Sequence, residues 1–298
     1  MHEEQIATGG GALQGLKILE VGAFIAGPLA GMLLGDLGAE IIKVEEPERG
    51  DPFRSWRDGL YSPNFAAFNR NKKSLTLNLR SPEGQEAFLR LSEQADVIIE
   101  NHRPGVMDRL GIGYDFVRER NPLIIYCSLS GFGQDGPYRD RPSFDTVGQS
   151  IGGLMWMLVN PDDPKTRGTS LADGLSGMFC AYGVQAALLA RERTGVGQKI
   201  ETSMLQSVMG FLNETFANYF SNGAVFDVWD RPRLAQSYGF HASDNLPFAI
   251  HLSSPPKFWE GLVAVSYTHL RAHETEAEHV CSLLLEKKKR GGGGGGGG

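Results

Sequence analysis

Short apolar runs alternate with amphipathic stretches along most of the chain. Residues 16–21 and 41–44 read as buried strands. Between them lie a loop over 22–27 and a helix from Pro28 to about residue 37, with Gly38 as its stop. A strand–helix–strand unit of this kind is parallel and right-handed. Alternation over 74–79 predicts another strand. Ser81 then caps a helix that has Pro82 at its first position and runs to about residue 94. Residues 97–100 and 123–128 are apolar runs of strand length, and 148–157 is apolar and Gly-rich. The longest predicted helix covers 174–193, followed by a strand over 199–202 and a helix over 204–220. A strand over 248–252 and the start of a helix at 256–262 close the pattern. The repeated strand-then-helix order predicts an α/β fold with a mostly parallel sheet and flanking helices.

Residues 265–298 break this pattern. Residues 265–275 read VSYTHLRAHET, which can be encoded by DNA that resembles a sequencing-library adaptor, residues 286–289 fit a poly-A run, and 291–298 are all glycine. A glycine run has no side chain to bury and maximal backbone entropy to lose. The segment is expected to be a non-native tail on a chain truncated near residues 262–264. The remainder reads as a flexible N-terminus (1–15), a large domain (16–220) and the start of a second, smaller domain (221–264).

The 298 residues carry 29 Lys and Arg against 35 Asp and Glu, a net charge of −6. A mildly acidic chain gives no general reason to bind nucleic acid, so an anionic ligand needs local positive groups. Cys127 and Cys180 lie in apolar contexts and predict buried free thiols in a reducing compartment. Neither has metal-ligand spacing to a histidine, and no metal site is expected. The hydrophobic run 18–34 contains Glu20 and Gly27-Pro28, so it reads as strand, loop and helix rather than a membrane span. The polar, Gly-rich residues 1–14 do not read as a signal peptide, and the expected location is cytoplasmic, with no membrane partner.

Asp173 stands at the start of the longest predicted helix and admits two readings. It is a helix cap, which spacing alone favours, or it is a nucleophile ionised by the helix N-terminus, with Gly174 and Gly177 leaving room for a substrate beside the backbone. The loop 22–28 follows the first strand, where open α/β sheets bind ligands near helix N-termini. Gly22, Gly27 and Gly31 do not make the G-x-G-x-x-G spacing of a dinucleotide site. Lys43, Arg49, Arg54, Lys72, Lys73, Arg103 and Arg109 fall near strand ends. Singly they read as solvated surface charges, and together as local cations for an anionic ligand. Residues 130–138, SGFGQDGPY, read as a turn. His102 lacks an evident acid or metal partner, and both it and His251 read as non-catalytic.

Six motifs in order, AGPLAGMLLGDLGAEIIKVE, RNKKSLTLNL, ENHRPGVMDRLGIGYD, SGFGQDGPY, SLADGLSGM and RTGVGQKIETSM, resemble those of the family III CoA-transferases over about residues 16–262. The resemblance implies a Rossmann-like α/β domain plus a smaller one, in a homodimer whose two chains interlock as rings. It implies that Asp173 is the catalytic nucleophile, passing through an aspartyl mixed anhydride and an aspartyl-CoA thioester. It implies that the backbone of Phe24, Ile25 and Ala26 faces coenzyme A and that Asn101 and Arg109 lie in the CoA site. The loop beginning Ser130-Gly131 would wall the acyl and pantetheine portion. Lys43, Lys72 and Lys73 are then candidates for the CoA phosphates. Acyl-CoA is the donor substrate and a carboxylic acid the acceptor, with no tightly bound cofactor and no metal.

The chain also departs from the family pattern. The Gly-rich loop of formyl-CoA transferases is not evident between Tyr238 and Pro247, and Ser130 stands where some relatives carry lysine, so formate and oxalate are not assigned as substrates. The α-methylacyl-CoA racemases share the fold but use a His–Asp pair. Here the corresponding segment, Ser143-Phe144-Asp145, carries Phe144 in place of the histidine. A non-catalytic CoA-binding relative is a further reading. Family members continue well past residue 264, so the truncated chain is expected to expose core surface and to be inactive.

Overall fold

Consecutive apolar residues build the central strands, which are covered on both faces, as parallel sheets require. In chain order the elements are β1 (Lys17–Val21), α1 (Ala26–Asp36), β2 (Glu40–Glu45), α2 (Pro63–Asn69), β3 (Lys72–Thr76), α3 (Pro82–Ser92), β4 (Val97–Glu100), α4 (Val106–Arg109), α5 (Tyr114–Arg120), β5 (Ile125–Ser130), α6 (Asp145–Ile151), α7 (Leu154–Leu158), α8 (Leu171–Thr194), β6 (Gln198–Ser203), α9 (Met204–Phe211), α10 (Asn213–Asn222), α11 (Asp230–Ala235), β7 (Ser237–His241), β8 (Pro247–His251) and α12 (Pro256–Ser266). This computed structural model describes residues 10–57, 59, 61–253 and 255–266. Of the expected non-native tail 265–298, the first two residues end α12; residues 267–298 and the N-terminal residues 1–9 lie outside the described residues.

The chain divides into two units, Met1–Met155 with Lys165–Asn222, and Trp156–Pro164 with Gly223–Gly298. The segment 156–164, expected within the large domain, groups with the second unit. In the first unit a six-stranded sheet has the order β3-β2-β1-β4-β5-β6, parallel throughout. Successive residues of a strand point to opposite faces. Ile18, Val97, Ile99, Ile125 and Cys127 therefore meet α1 and α8 on one side. Leu19, Ile98, Ile124 and Tyr126 pack with Phe88 of α3 and Val117 of α5 on the other. The chain winds away in opposite directions from β1 and β4. The crevice at their carboxyl ends is where ligands bind in open α/β sheets.

α1 and α8 approach closely because Gly177 has no side chain: a Cβ there would lie 2.8 Å from the Ala26 carbonyl oxygen. Gly177 thus serves helix packing rather than substrate access. α8 ends at Gly195, whose φ of 68° is the left-handed geometry that glycine adopts freely.

Differences from the predicted pattern have local causes. β3 occupies 72–76 rather than 74–79 because its partner β2 ends at Glu45, opposite Thr76; Leu77 and Leu79 continue the alternation only as packing residues. The helix predicted over 204–220 breaks at Leu212 into α9 and α10. Ser81 caps α3 as expected, accepting from the Gly84 N–H at 3.1 Å. In the second unit β7 and β8 form an antiparallel hairpin, and His251 pairs with the Ser237 hydroxyl at 2.9 Å. Among the described residues no helix is long and apolar enough to cross a membrane.

Candidate functional site

The loop after β1 and the segment after β4 meet across the crevice. Asn101 Nδ2 donates to the Ala23 carbonyl and Asn101 Oδ1 accepts from the Ala23 N–H, both at 2.9 Å. The next residue, Phe24, holds a φ of 65°, a left-handed conformation unusual for a side chain of its size. Around this clamp lies a cavity of about 500 Å³. Of the residues expected in the site, Phe24, Ile25, Ala26, Asn101, Ser130 and Gly131 line it together with Asp173. Gly131 is demanded by space: a Cβ there would sit 2.3 Å from Cβ of Ser143.

The geometry at Asp173 bears on the cap reading. It is the third residue of α8, and Ser170 at the cap position makes no side-chain cap bond. The exposed N–H groups of that first turn belong to Asp145, whose Oδ1 accepts from Ala172 at 2.8 Å and from Asp173 at 3.3 Å. Asp145 is therefore the cap, and the carboxylate of Asp173 is left for the cavity. Asp145 is oriented in turn by Gln149, which donates to Oδ2 at 2.6 Å. The helix N-terminus favours the ionised form of Asp173, and two other influences oppose it. Burial, and then the adjacent Asp145 carboxylate, push its pKa up to about 7. Phe144, 70% exposed, stands at the same rim.

The basic residues sort differently from expectation. Lys43 and Lys72 are buried at 1% and 2% side-chain exposure, both ion-paired to Glu20, and neither lines the cavity. Lys73 lies near the amino end of β3, away from the crevice, and pairs with Glu40 at 2.7 Å. Arg109 is exposed on α4. It joins Arg139 beside Gly105, where a Cβ would lie 3.1 Å from Nη1 of Arg109 and 3.6 Å from Nη2 of Arg139. The cations that line the Asp173 cavity are Arg103, Arg139 and Arg141. Arg139 and Arg141 follow the turn 130–138, which buttresses them: Arg139 Nε donates to the Gln134 carbonyl at 2.6 Å, and the Arg141 guanidinium lies 4.2 Å from the Tyr138 ring centroid.

A second cavity of about 330 Å³ opens at the carboxyl ends of the strands, bordered by Gly22, Glu46, Asn78 and Arg80. It shares Ala23 and His102 with the first. Burial lowers the His102 pKa, so this residue is neutral at pH 7 between the two cavities. Sequence reasoning passed over Arg80; the available signal was its place just beyond the alternating run 74–79. Behind the site Glu100 is buried, and burial pushes its pKa up to about 7 against the opposing bonds from Ser128 and the His102 N–H. The arrangement offers one carboxylate poised near neutrality, apolar walls and arginines for an anionic ligand long enough to span two cavities.

A family model described as CoA-transferase family III matches residues 13–281. Succinyl-CoA–D-citramalate CoA-transferase of Chloroflexus aurantiacus is 36% identical over 283 residues, covering 91% of this chain and 70% of the relative. Acetyl-CoA:oxalate CoA-transferase of Acetobacter aceti is 40% identical over 256 residues, covering 84% of this chain and 66% of the relative. Among solved structures, a CAIB/BAIF family protein from Brucella suis superposes with a TM-score of 0.82 at 34% identity, over 93% of this chain and 76% of that one. The chain spans from about half to 70% of the length of the curated relatives it matches.

Proposed function

The chain belongs to CoA-transferase family III, and from that membership we propose that it is an acyl-CoA:carboxylate CoA-transferase with Asp173 as its nucleophile. The observation that carries this reading is the Asp173 carboxylate itself. It lines the crevice cavity, is free of capping duty, and sits beside the loop 23–26. The carboxylate attacks the donor thioester carbonyl, the C–S bond breaks, and CoA thiolate leaves behind an aspartyl–acyl anhydride. The thiolate then attacks the aspartyl carbonyl, expelling the donor as a carboxylate and leaving an aspartyl-CoA thioester. The acceptor carboxylate displaces the thiolate to form a second anhydride. Thiolate attack on the acceptor carbonyl then releases the new acyl-CoA and restores Asp173. Covalent capture divides one difficult exchange into easier steps. The neighbouring cavity with Arg80 suits the nucleotide end of CoA, and Arg103, Arg139 and Arg141 suit its anionic partners.

The test is direct. Protein completed to the length of its relatives, incubated with succinyl-CoA and quenched in hydroxylamine, is expected to carry a hydroxamate at Asp173 by peptide mass spectrometry. Absence of any adduct at that peptide, with CoA bound, favours a non-catalytic CoA-binding protein. The homodimer is part of the same proposal. It is supported by exposed Met178, Phe179 and Tyr182 of α8 and Phe211 of α9, large apolar side chains of the kind that interaction surfaces present. A monomeric mass by sedimentation equilibrium would count against it.

A further inference from the structure

Four charged residues beneath the loop 22–28 take no part in the chemistry above. Glu20, Lys43, Asp51 and Lys72 are all buried, and they balance in charge. Lys43 Nζ lies 2.8 Å from Glu20 Oε1 and 2.9 Å from Asp51 Oδ2, and it donates to the Gly22 carbonyl at 2.7 Å. Lys72 Nζ lies 2.6 Å from Glu20 Oε2 and donates to the Pro28 carbonyl at 2.7 Å. Lys43 thus holds the start of the loop and Lys72 the first turn of α1, into which the loop runs. Asp51 Oδ1 accepts from the N–H of Phe24 at 3.3 Å and of Phe53 at 2.9 Å, and the Phe24 and Phe53 rings meet edge to face at 5.4 Å. Phe24 is the residue with the positive φ. A side chain persists in that conformation only where its surroundings over-determine it.

Stability alone is a poor account of such a cluster. Buried ion pairs can often be replaced by apolar residues without loss, whereas their geometry can specify one conformation. We propose that the quartet Glu20–Lys43–Asp51–Lys72 is a positioning device, fixing the loop 22–28 in the shape that receives CoA. Lys43 holds the Gly22 carbonyl at the loop's start, Lys72 holds the Pro28 carbonyl in the first turn of α1, and Asp51 holds Phe24 in its left-handed turn. The proposal rests on the CoA reading for its ligand, but its geometric content stands without it.

The experiment follows amide hydrogen exchange over residues 22–28 and CoA affinity by calorimetry in the full chain. Lys43→Met is expected to speed exchange at Ala23 and Phe24 at least tenfold and to raise the CoA dissociation constant at least tenfold. Asp51→Asn, which keeps the volume and an oxygen for Phe24, is expected to move both in the same direction by less, and it serves if Lys43→Met does not fold. Arg191→Met is the control. It breaks the 2.9 Å pair to Asp96 at the opposite end of the strands, so it should lower Tm and leave loop exchange and affinity unchanged. Unchanged loop exchange in the quartet variants, or equal acceleration in Arg191→Met, overturns the proposal. Faster exchange with unaltered CoA affinity overturns its role in binding. If the wild-type chain binds no CoA, the functional reading fails, while the exchange comparison still decides whether the quartet sets the loop.

Discussion

Asp173→Asn is expected to lower the rate of acyl transfer by on the order of 10⁴-fold or more, the scale on which removal of a covalent nucleophile acts. The amide has the same shape, and the Asp145 bonds that cap α8 go to backbone N–H groups, so they survive the change. The wild-type carboxylate is disfavoured by burial and by the Asp145 charge, and the neutral amide escapes both. Tm is therefore expected to stay level or rise while activity is lost. Retained transfer in this variant would sink the nucleophile assignment. The pH profile reads the same residue independently. A nucleophile must be ionised, and with a pKa of about 7 Asp173 should give an acid limb centred near pH 7 in kcat/KM, with rate rising as pH rises. Asp145→Asn removes the second cause of the raised pKa, so the limb should move to lower pH. A limb that stays in place would assign it to another group, such as the buried Glu100.

Local patterning made the sheet legible and left the charged interior hidden. Residues 97–100 are apolar throughout because β4 is covered on both faces, and a run of that kind reads the same from sequence or coordinates. Lys43 is the opposite case. In IIKVE it reads as a cation near a strand end, but the side chain turns inward to Glu20 on the neighbouring strand and to Asp51 beyond it. Those partners are set by sheet order and register, which local periodicity does not encode. Spacing alone was equally blind to the cap of α8. Asp173 had the right spacing for a cap, yet Asp145, distant in sequence, reaches the first turn instead. Phe24, Ile25, Ala26, Asn101, Ser130 and Gly131, which the resemblance pointed to, are gathered by the fold around one cavity. Arg139 and Arg141 were missed because they lie beyond a Gly-rich turn, where a charge reads as solvated surface.

Gly31→Ala is expected to destabilise the fold by about 2–4 kcal/mol, even though alanine is the better helix former by about 1 kcal/mol. Gly31 lies in α1, where a Cβ would sit 2.1 Å from Glu20 Oε2 and 3.1 Å from the Glu20 carboxyl carbon. The tip of a flexible side chain could ordinarily swing aside. This one is tethered by Lys72 at one oxygen and Lys43 at the other, and it has no solvent to enter. Overpacking must then either part a buried ion pair or push α1 away from β1. Gly174→Ala in α8 supplies the opposite case, since a Cβ there meets nothing within 4 Å. The helix preference stands alone at that position, and a gain of about 0.5–1 kcal/mol is expected. Urea denaturation of the two variants beside the parent chain checks both signs in one experiment. A stabilised Gly31→Ala would mean that Glu20 moves freely, and the quartet would lose its claim to hold the loop above it.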